Sequence, residues 1–562
     1  MPFIAGKQAF LELLNQEGVE LIFGNPGTTE LPLMDALAGQ DAIRYILALH
    51  EGVAMAMADG YAQASGRLAV VNVHISPGLG NAMGMLYDAC KAGAPLLLTA
   101  GQHDQSFNIT EPILWSDLPE LAKPYVKWSY EVRRLADLPR AVHRAAKVAQ
   151  TPPTGPVFLS VPMDILTAEA DLDLGAPTRL DPRIRGPRAA VAAAADLLGR
   201  ARRPMIIAGH AVARSDAHAE LVEVAKVLAA PVYTERLAST CNFPYSHPLF
   251  QGEIPRSVSD IRALLGQHDL VFSVGGNLFL LSLPSEVDPM PAGLPVIHLD
   301  PDPWEIGKNY PAAVGIVGDP KATLLDLAQV LRKSLTLAYR ESARQRLTLA
   351  RESKERAIAE VRARAREERD RMPIPPLALL EMLTDHLPPG AILVDESLSS
   401  GSGLHYLLKS EDPKSFFGLH GGGIGWGLPG ALGVKLALPD RPVVALIGDG
   451  GAMYTNQALW TAAHYHLSVV VVIINNASYR ILKQRTHALK GVSAQTGRYV
   501  GMDLEHPRID FVGLAQALGV PAERVDKAEE IGPVLTQALA RSGPSLIDVG
   551  VDGSFLPREK RR

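Results

Sequence analysis

Residues 442–484, PVVALIGDGGAMYTNQALWTAAHYHLSVVVVIINNASYRILKQ, contain two short, very apolar runs, 443–447 and 469–474. Each run ends abruptly in polar residues. Runs this short and this rich in Val and Ile are the pattern of strands buried on both faces of a parallel sheet. Between them, Leu459, Trp460 and Ala463 fall at helical spacing and predict a helix over 456–466. Gly448-Asp449-Gly450 and Asn475-Asn476 then sit at the carboxyl ends of neighbouring strands, where open α/β sheets bind ligands. The glycines admit close approach of backbone N–H groups to phosphate. Asp449 and Asn476 offer hard oxygen ligands of the kind Mg²⁺ takes while keeping phosphate oxygens in its shell.

The 562 residues are enough for three or four domains. With 47% hydrophobic and 20% charged residues the chain has ample core for a soluble globular protein. A formal charge of −5 argues against nucleic acid or an anionic membrane as partner. The two cysteines, Cys90 and Cys241, are far apart and lack metal-ligand spacing, so neither a disulfide framework nor a zinc site is indicated. A reducing cytoplasm is the expected location. The N-terminus shows no basic segment leading into an apolar core, and no apolar run reaches transmembrane length.

Three stretches repeat the strand–helix alternation of α/β folding. In residues 1–180, strands are predicted at 21–23, 45–49, 70–74, 95–100 and 157–161, with a first amphipathic helix around Phe10, Leu11 and Leu14. After a Pro- and Arg-rich break at 176–188, the unit 188–335 is predicted to hold strands at 205–208, 232–233, 270–274 and 296–299. Its Gly275-Gly276 follows a strand, but G-x-G-x-x-G spacing is absent, which points to a vestigial Rossmann-like domain. Residues 336–373 form a charged linker, with one solvated helix predicted over 339–371 and mixed-sign pairs three and four residues apart. The last unit, 374–562, carries strands at 392–394, 443–447, 469–474 and 546–549. The predicted fold class is α/β, three doubly wound parallel-sheet domains.

GDG, twenty-four residues, then NN resembles the diphosphate and metal motif of the thiamine diphosphate-dependent decarboxylase and carboligase superfamily. The flanking residues resemble the benzoylformate decarboxylase family within it, over essentially the whole chain. That resemblance implies pyrimidine-binding, central and diphosphate-binding domains, with thiamine diphosphate and Mg²⁺ as cofactors. It also implies a homodimer at minimum, and a homotetramer as the expected form, because the pyrimidine and diphosphate halves of each site come from different subunits.

The resemblance carries residue roles with it. In RYILALHEG, Glu51 matches the glutamate that hydrogen-bonds the pyrimidine ring and shifts it to the imino form. A Glu in the first turn of a helix is also favoured by the helix dipole alone. Residues 420–429, HGGGIGWGLP, resemble the segment that grips thiamine between its rings, with the Gly422 carbonyl on the pyrimidine amine and the Ile424 side chain holding the bend. Ser399 matches a phosphate-capping position, and serines also cap helices. Gly448, Gly450, Gly451, Ala452 and Tyr479 complete the cofactor set, while Ser478 joins Asp449 and Asn476 around the metal. Thr28 in FGNPGTTELP stands where the family has a serine on the substrate carboxylate. His74 in VHISPGLGNAMG matches a proton-relay histidine, an imidazole able to act as acid or base near neutral pH.

One position departs from the pattern. The family's second histidine corresponds to Ser282, a poor proton donor, and His103 or His420 is left to substitute. Leu114, Ile481, Leu482 and Arg485 are the remaining candidates for the substrate pocket. Residues 479–485, YRILKQR, are basic enough to leave open an anionic acceptor such as an acyl-CoA, or simply to face water.

The leading expectation is therefore non-oxidative decarboxylation of a 2-oxo acid of the benzoylformate type. The alternatives are a carbon–carbon ligase or lyase making or splitting 2-hydroxy ketones or 2-hydroxyacyl-CoA, and a non-catalytic cofactor-binding homologue. An acetolactate synthase is less favoured, since the flavin-loop residues of its central domain are not found.

Overall fold

The structure is a computed structural model and describes residues 3–281 and 285–555. By packing, the chain divides into two units: residues 1–180, 365–402 and 421–562 form one, and 181–364 with 403–420 the other. Three parallel sheets organise them, with helices on both faces.

In the first unit the N-terminal sheet runs Arg44–Leu47, Leu21–Gly24, Ala69–Val73, Leu96–Gln102, Val157–Pro162, Ser129–Glu131, all parallel. One face is closed by Phe10, Leu13 and Leu14 of the helix Gly6–Gln16 and by Val142, Ala145 and Ala149 of Leu138–Gln150. The C-terminal sheet contributes, in order, Ile392–Glu396, Val443–Gly448, Val469–Asn475, Ser545–Gly550 and Ala522–Val525. The two apolar runs are neighbours in register, Gly448 opposite Ile474. The crossover helix between them is Ala458–His464.

The helix Glu51–Ser65, built of Ala, Met and Gly and buried almost throughout, packs against Gly427–Ala437. The crossing is tight because glycines line it. A Cβ on Gly60 would lie 2.3 Å from the Gly430 carbonyl oxygen, and one on Gly433 only 1.9 Å from that of Met57. The two helices run antiparallel, for Trp426 Nε1 donates to Asp59 Oδ2 at 2.7 Å while Gly433 lies on Met57. Glu51 therefore stands at the end of its helix away from Trp426.

The second unit holds a sheet in the order Phe250–Glu253, Val232–Thr234, Pro204–Ala208, Leu270–Val274, Val296–Asp300, Val314–Val317, again parallel. The charged helix spans Leu337–Glu367. It is less solvated than its composition suggests. Lys354 is buried and donates to the Tyr245 and His247 carbonyls at 2.5 and 2.7 Å, and burial pushes its ammonium down to about 8.

Candidate active site

Ser399, Ile424, Gly448, Asp449, Gly450, Gly451, Asn476, Ser478, Tyr479 and Ile481 share one recess at the carboxyl ends of the C-terminal sheet. Gly448 ends its strand, and the short helix Asp449–Ala452 begins at once, burying Asp449 and Ala452. Asp449 Oδ1 accepts from Gly450 N at 2.9 Å. Its Oδ2 is buried without a hydrogen-bond partner, and burial pushes the carboxyl up to about 6. A buried carboxylate oxygen with nothing to bind is costly unless a cation answers it. Beside it, Asn476 Oδ1 accepts from Ser478 N and Oγ, both at 3.0 Å, so the turn holds its side-chain oxygen in place. This hard-oxygen set suits Mg²⁺.

The glycines fall into two groups. A Cβ on Gly450 would meet the Tyr479 ring at 2.4 Å, and one on Gly451 the Glu396 carboxylate at 2.3 Å. At Gly448 and Gly422 the chain crowds nothing. Gly422, at φ +90, is exposed in a left-handed conformation that glycine adopts freely.

Glu396, which the sequence did not single out as functional, organises the loop before Gly427. It is fully buried, and its two oxygens accept from Gly425 N at 2.7 Å and Gly427 N at 2.6 Å. Burial pushes its carboxyl up to about 7. From the other side Asp88 Oδ1 accepts from Gly423 N at 3.0 Å, and Thr455 Oγ1 donates to the Gly425 carbonyl at 2.6 Å. Ile424 is thus held by hydrogen bonds to its neighbours on both sides. Replacing Glu396 by Ala leaves two buried N–H groups without acceptors, at about 1–3 kcal/mol each. The expected result is a lower melting temperature, read by circular dichroism; an unshifted melt would show that the loop is held otherwise.

The N-terminal sheet carries a second cluster. His50 Nδ1 accepts from Gly52 N at 3.0 Å and caps the helix that Glu51 opens, so the strand predicted to reach residue 49 stops at Leu47. Glu51 is buried beside Gly78 and accepts from Asn81 Nδ2 at 3.0 Å. His74 stands at the N-terminal boundary of the next helix, Ile75–Ala92, without a side-chain capping bond, and Ile75 takes φ 37, a strained value for a β-branched residue. His74 Nδ1 lies 2.8 Å from Glu30 Oε2 and 3.2 Å from Thr29 Oγ1. Glu30 also accepts from Gly27 N, Thr29 Oγ1 and Gly101 N. Thr28 is exposed on the same turn.

The hydrogen bond to Glu30 raises the His74 pKa above its ordinary value of 6.5, against the opposing effect of burial. The protonated pair adds stability that is complete below that ordinary value and is lost as pH rises through the raised one. Glu30→Gln is expected to move the His74 titration to lower pH, followed by NMR of the imidazole protons; an unmoved titration would exclude Glu30 as its partner.

The structure does not bring Glu51, His74 or Thr28 to the recess around Asp449. Glu51 touches Gly78 and Asn81 near the start of Ile75–Ala92, whereas Asp88, near its end, touches the loop of Ile424. At 1.5 Å per residue the two places are on the order of 10–15 Å apart along that helix. Leu114 is not among the residues lining the recess that holds Ile481; its carbonyl accepts from Ser76 Oγ at 2.6 Å. Leu482 and Arg485 are exposed. Arg480 Nη1 donates to the Ser399 carbonyl at 2.8 Å and Lys483 pairs with Asp503, so two of the cations near the recess are engaged. Ser282 lies outside the described residues. His420 does not replace it as a proton donor at neutral pH: it is buried, and burial lowers it to about 4. His103 Nε2 lies 2.7 Å from the Ile113 carbonyl oxygen.

Comparison with known proteins follows this geometry. Three family models match: the N-terminal TPP binding domain of thiamine pyrophosphate enzymes over residues 4–111, their central domain over 191–327, and their C-terminal TPP binding domain over 399–549. Benzoylformate decarboxylase of Pseudomonas aeruginosa is 36% identical over 544 residues, 96% of this chain and 98% of that one. The acetolactate synthase large subunit of Corynebacterium glutamicum is 31% identical over 573 residues, 99% of this chain and 88% of that one. Among solved structures, the thiamine diphosphate-dependent 4-hydroxybenzoylformate decarboxylase of Rhodococcus jostii RHA1 superposes with a TM-score of 0.85 at 32% identity, covering 98% of this chain and 99% of that one. With all three domain models matched in order and relatives aligned almost end to end, the chain belongs to the thiamine pyrophosphate enzymes and is a thiamine diphosphate-dependent enzyme.

Proposed function

We propose that this enzyme decarboxylates a 2-oxo acid of the benzoylformate type without oxidation. The observation that carries the reading is the His74–Glu30 pair on the turn that also exposes Thr28. A proton-carrying group and a hydroxyl stand there together, as a 2-oxo carboxylate requires. Bound thiamine diphosphate supplies a nucleophilic carbon and an electron sink. Asp449, Asn476 and Ser478 would hold Mg²⁺, and Gly448, Gly450, Gly451, Ala452, Tyr479 and Ser399 would hold the diphosphate. Gly422 and Ile424 orient the rings. Glu51 holds a proton against the pyrimidine ring, Thr28 binds the substrate carboxylate, and His74 moves a proton at the reacting carbon.

The separation of Glu51 from the Asp449 recess supports a site shared by two copies of the chain, hence a homodimer at minimum and a homotetramer as the expected form. Both cysteines are free, which suits a cytoplasmic location. No helix among the described residues is long and apolar enough to cross a membrane.

The test is incubation with benzoylformate, following CO₂ and benzaldehyde, and then with a pair of aldehydes alone. Stoichiometric CO₂ and aldehyde are expected. Ligation of the aldehydes with no CO₂ released from benzoylformate would overturn the reading in favour of a carboligase, the activity that the similarity to acetolactate synthases keeps in view.

A further inference from the structure

The central sheet brings together three chemistry-bearing side chains that the reaction above does not use. Val232–Thr234 and Pro204–Ala208 are adjacent parallel strands, so the residues just past them, Glu235 and His210, emerge side by side. His210 N donates to Glu235 Oε1 at 2.5 Å, and its Nδ1 lies 3.2 Å from the same oxygen. His420 completes the group, its ring centroid 4.6 Å from that of His210. One donor atom from each of the three lies within 4.8 Å of the other two.

The second layer around the group is ordered as metal sites require. His420 Nδ1 is 2.8 Å from the Leu237 carbonyl oxygen. A proton held there leaves the lone pair on Nε2, the way outer contacts fix the tautomer of a ligating histidine. Glu235 is buried, and Asn277 N donates to its Oε2 at 3.3 Å. A Cβ on Gly276 would stand 2.8 Å from Oε2, so glycine there keeps the space clear.

Burial drives His210 down to about 3 and His420 to about 4, so both rings are neutral near pH 7, and it raises Glu235 to about 7. The Arg214 guanidinium nearby faces Asp300 and Asp302 as well as Glu235, so its charge is not Glu235's alone. Two neutral imidazoles and one carboxylate form a set that zinc takes in sites with an open fourth position.

We infer that His210, Glu235 and His420 bind a divalent transition-metal ion of the zinc class. His420 immediately precedes, in the chain, the Gly421-Gly422-Gly423 segment assigned to the cofactor.

Cobalt(II) serves as a visible probe for zinc in this test. The full-length protein, saturated with Mg²⁺ and thiamine diphosphate, is titrated with Co²⁺. The expected result is one equivalent bound with the visible absorption of low-coordinate cobalt, displaced by Zn²⁺. His210→Gln and Glu235→Gln are each expected to weaken that binding by more than about 100-fold, the loss that even outer contacts to a metal can cause. Near-UV circular dichroism confirms that each variant is folded. Asp449→Ala should leave the cobalt spectrum unchanged, separating this site from the Mg²⁺ site. No cobalt absorption in folded wild type, or the same absorption in a folded His210→Gln/His420→Gln double variant, would overturn the inference.

Discussion

Glu51→Gln is expected to lower kcat/KM for benzoylformate by roughly 10²–10⁴-fold, the range for loss of a positioned proton-transfer group. The substitution keeps size and shape. Glu51 is buried against Gly78 and meets Asn81 Nδ2 at 3.0 Å, contacts that an amide can reproduce with one flip of Asn81. What it cannot do is exchange a proton with the pyrimidine ring. Stability and cofactor content should therefore stay close to wild type while turnover collapses. Steady-state CO₂ release, read beside the melting temperature and bound cofactor, makes the check. Unchanged turnover would exclude Glu51 from the chemistry and favour a chain that only binds the cofactor.

Asp449→Ala acts on affinity instead. In the present arrangement Oδ2 is buried without a hydrogen-bond partner, and burial pushes the carboxyl up to about 6 against the opposing effect of the backbone N–H groups of Gly450, Asn476, Ala477 and Ser478. The chain itself thus leaves a negative charge that a cation must answer. Without that ligand, Mg²⁺-dependent retention of thiamine diphosphate should weaken by more than about 100-fold. Cofactor measured after gel filtration in Mg²⁺ tests this directly, and wild-type retention would remove Asp449 from the metal shell.

The interior strands could be read from the sequence because burial on both faces forces continuous Val, Ile and Leu. Of the outer strands, Arg44–Leu47 could be read at 45–49, but others could not. Ser129–Glu131, Phe250–Glu253, Val314–Val317 and Ala522–Val525 flank their sheets, are short, and carry partly exposed residues, so their composition matches that of loops. The same division runs through the site. GDG and NN were legible because strand, turn and ligand are contiguous in sequence. Glu396, Glu30 and Asp88 read as ordinary charges. Their meaning comes from backbone N–H groups at Gly425 and Gly427, Gly101 and Gly423, each brought close only by folding. Lys354 misled in the opposite sense: in a helix so rich in charge, nothing local distinguishes the one ammonium that turns inward.

The glycine-lined crossing of Glu51–Ser65 and Gly427–Ala437 has a consequence for how such a chain evolves. It fixes the Glu51 carboxylate and the Ile424 loop at a set distance, as two ends of one rigid strut. Under the proposed pairing of copies, each end serves a centre completed by a neighbour, so natural selection judges each half through its effect on a sister molecule.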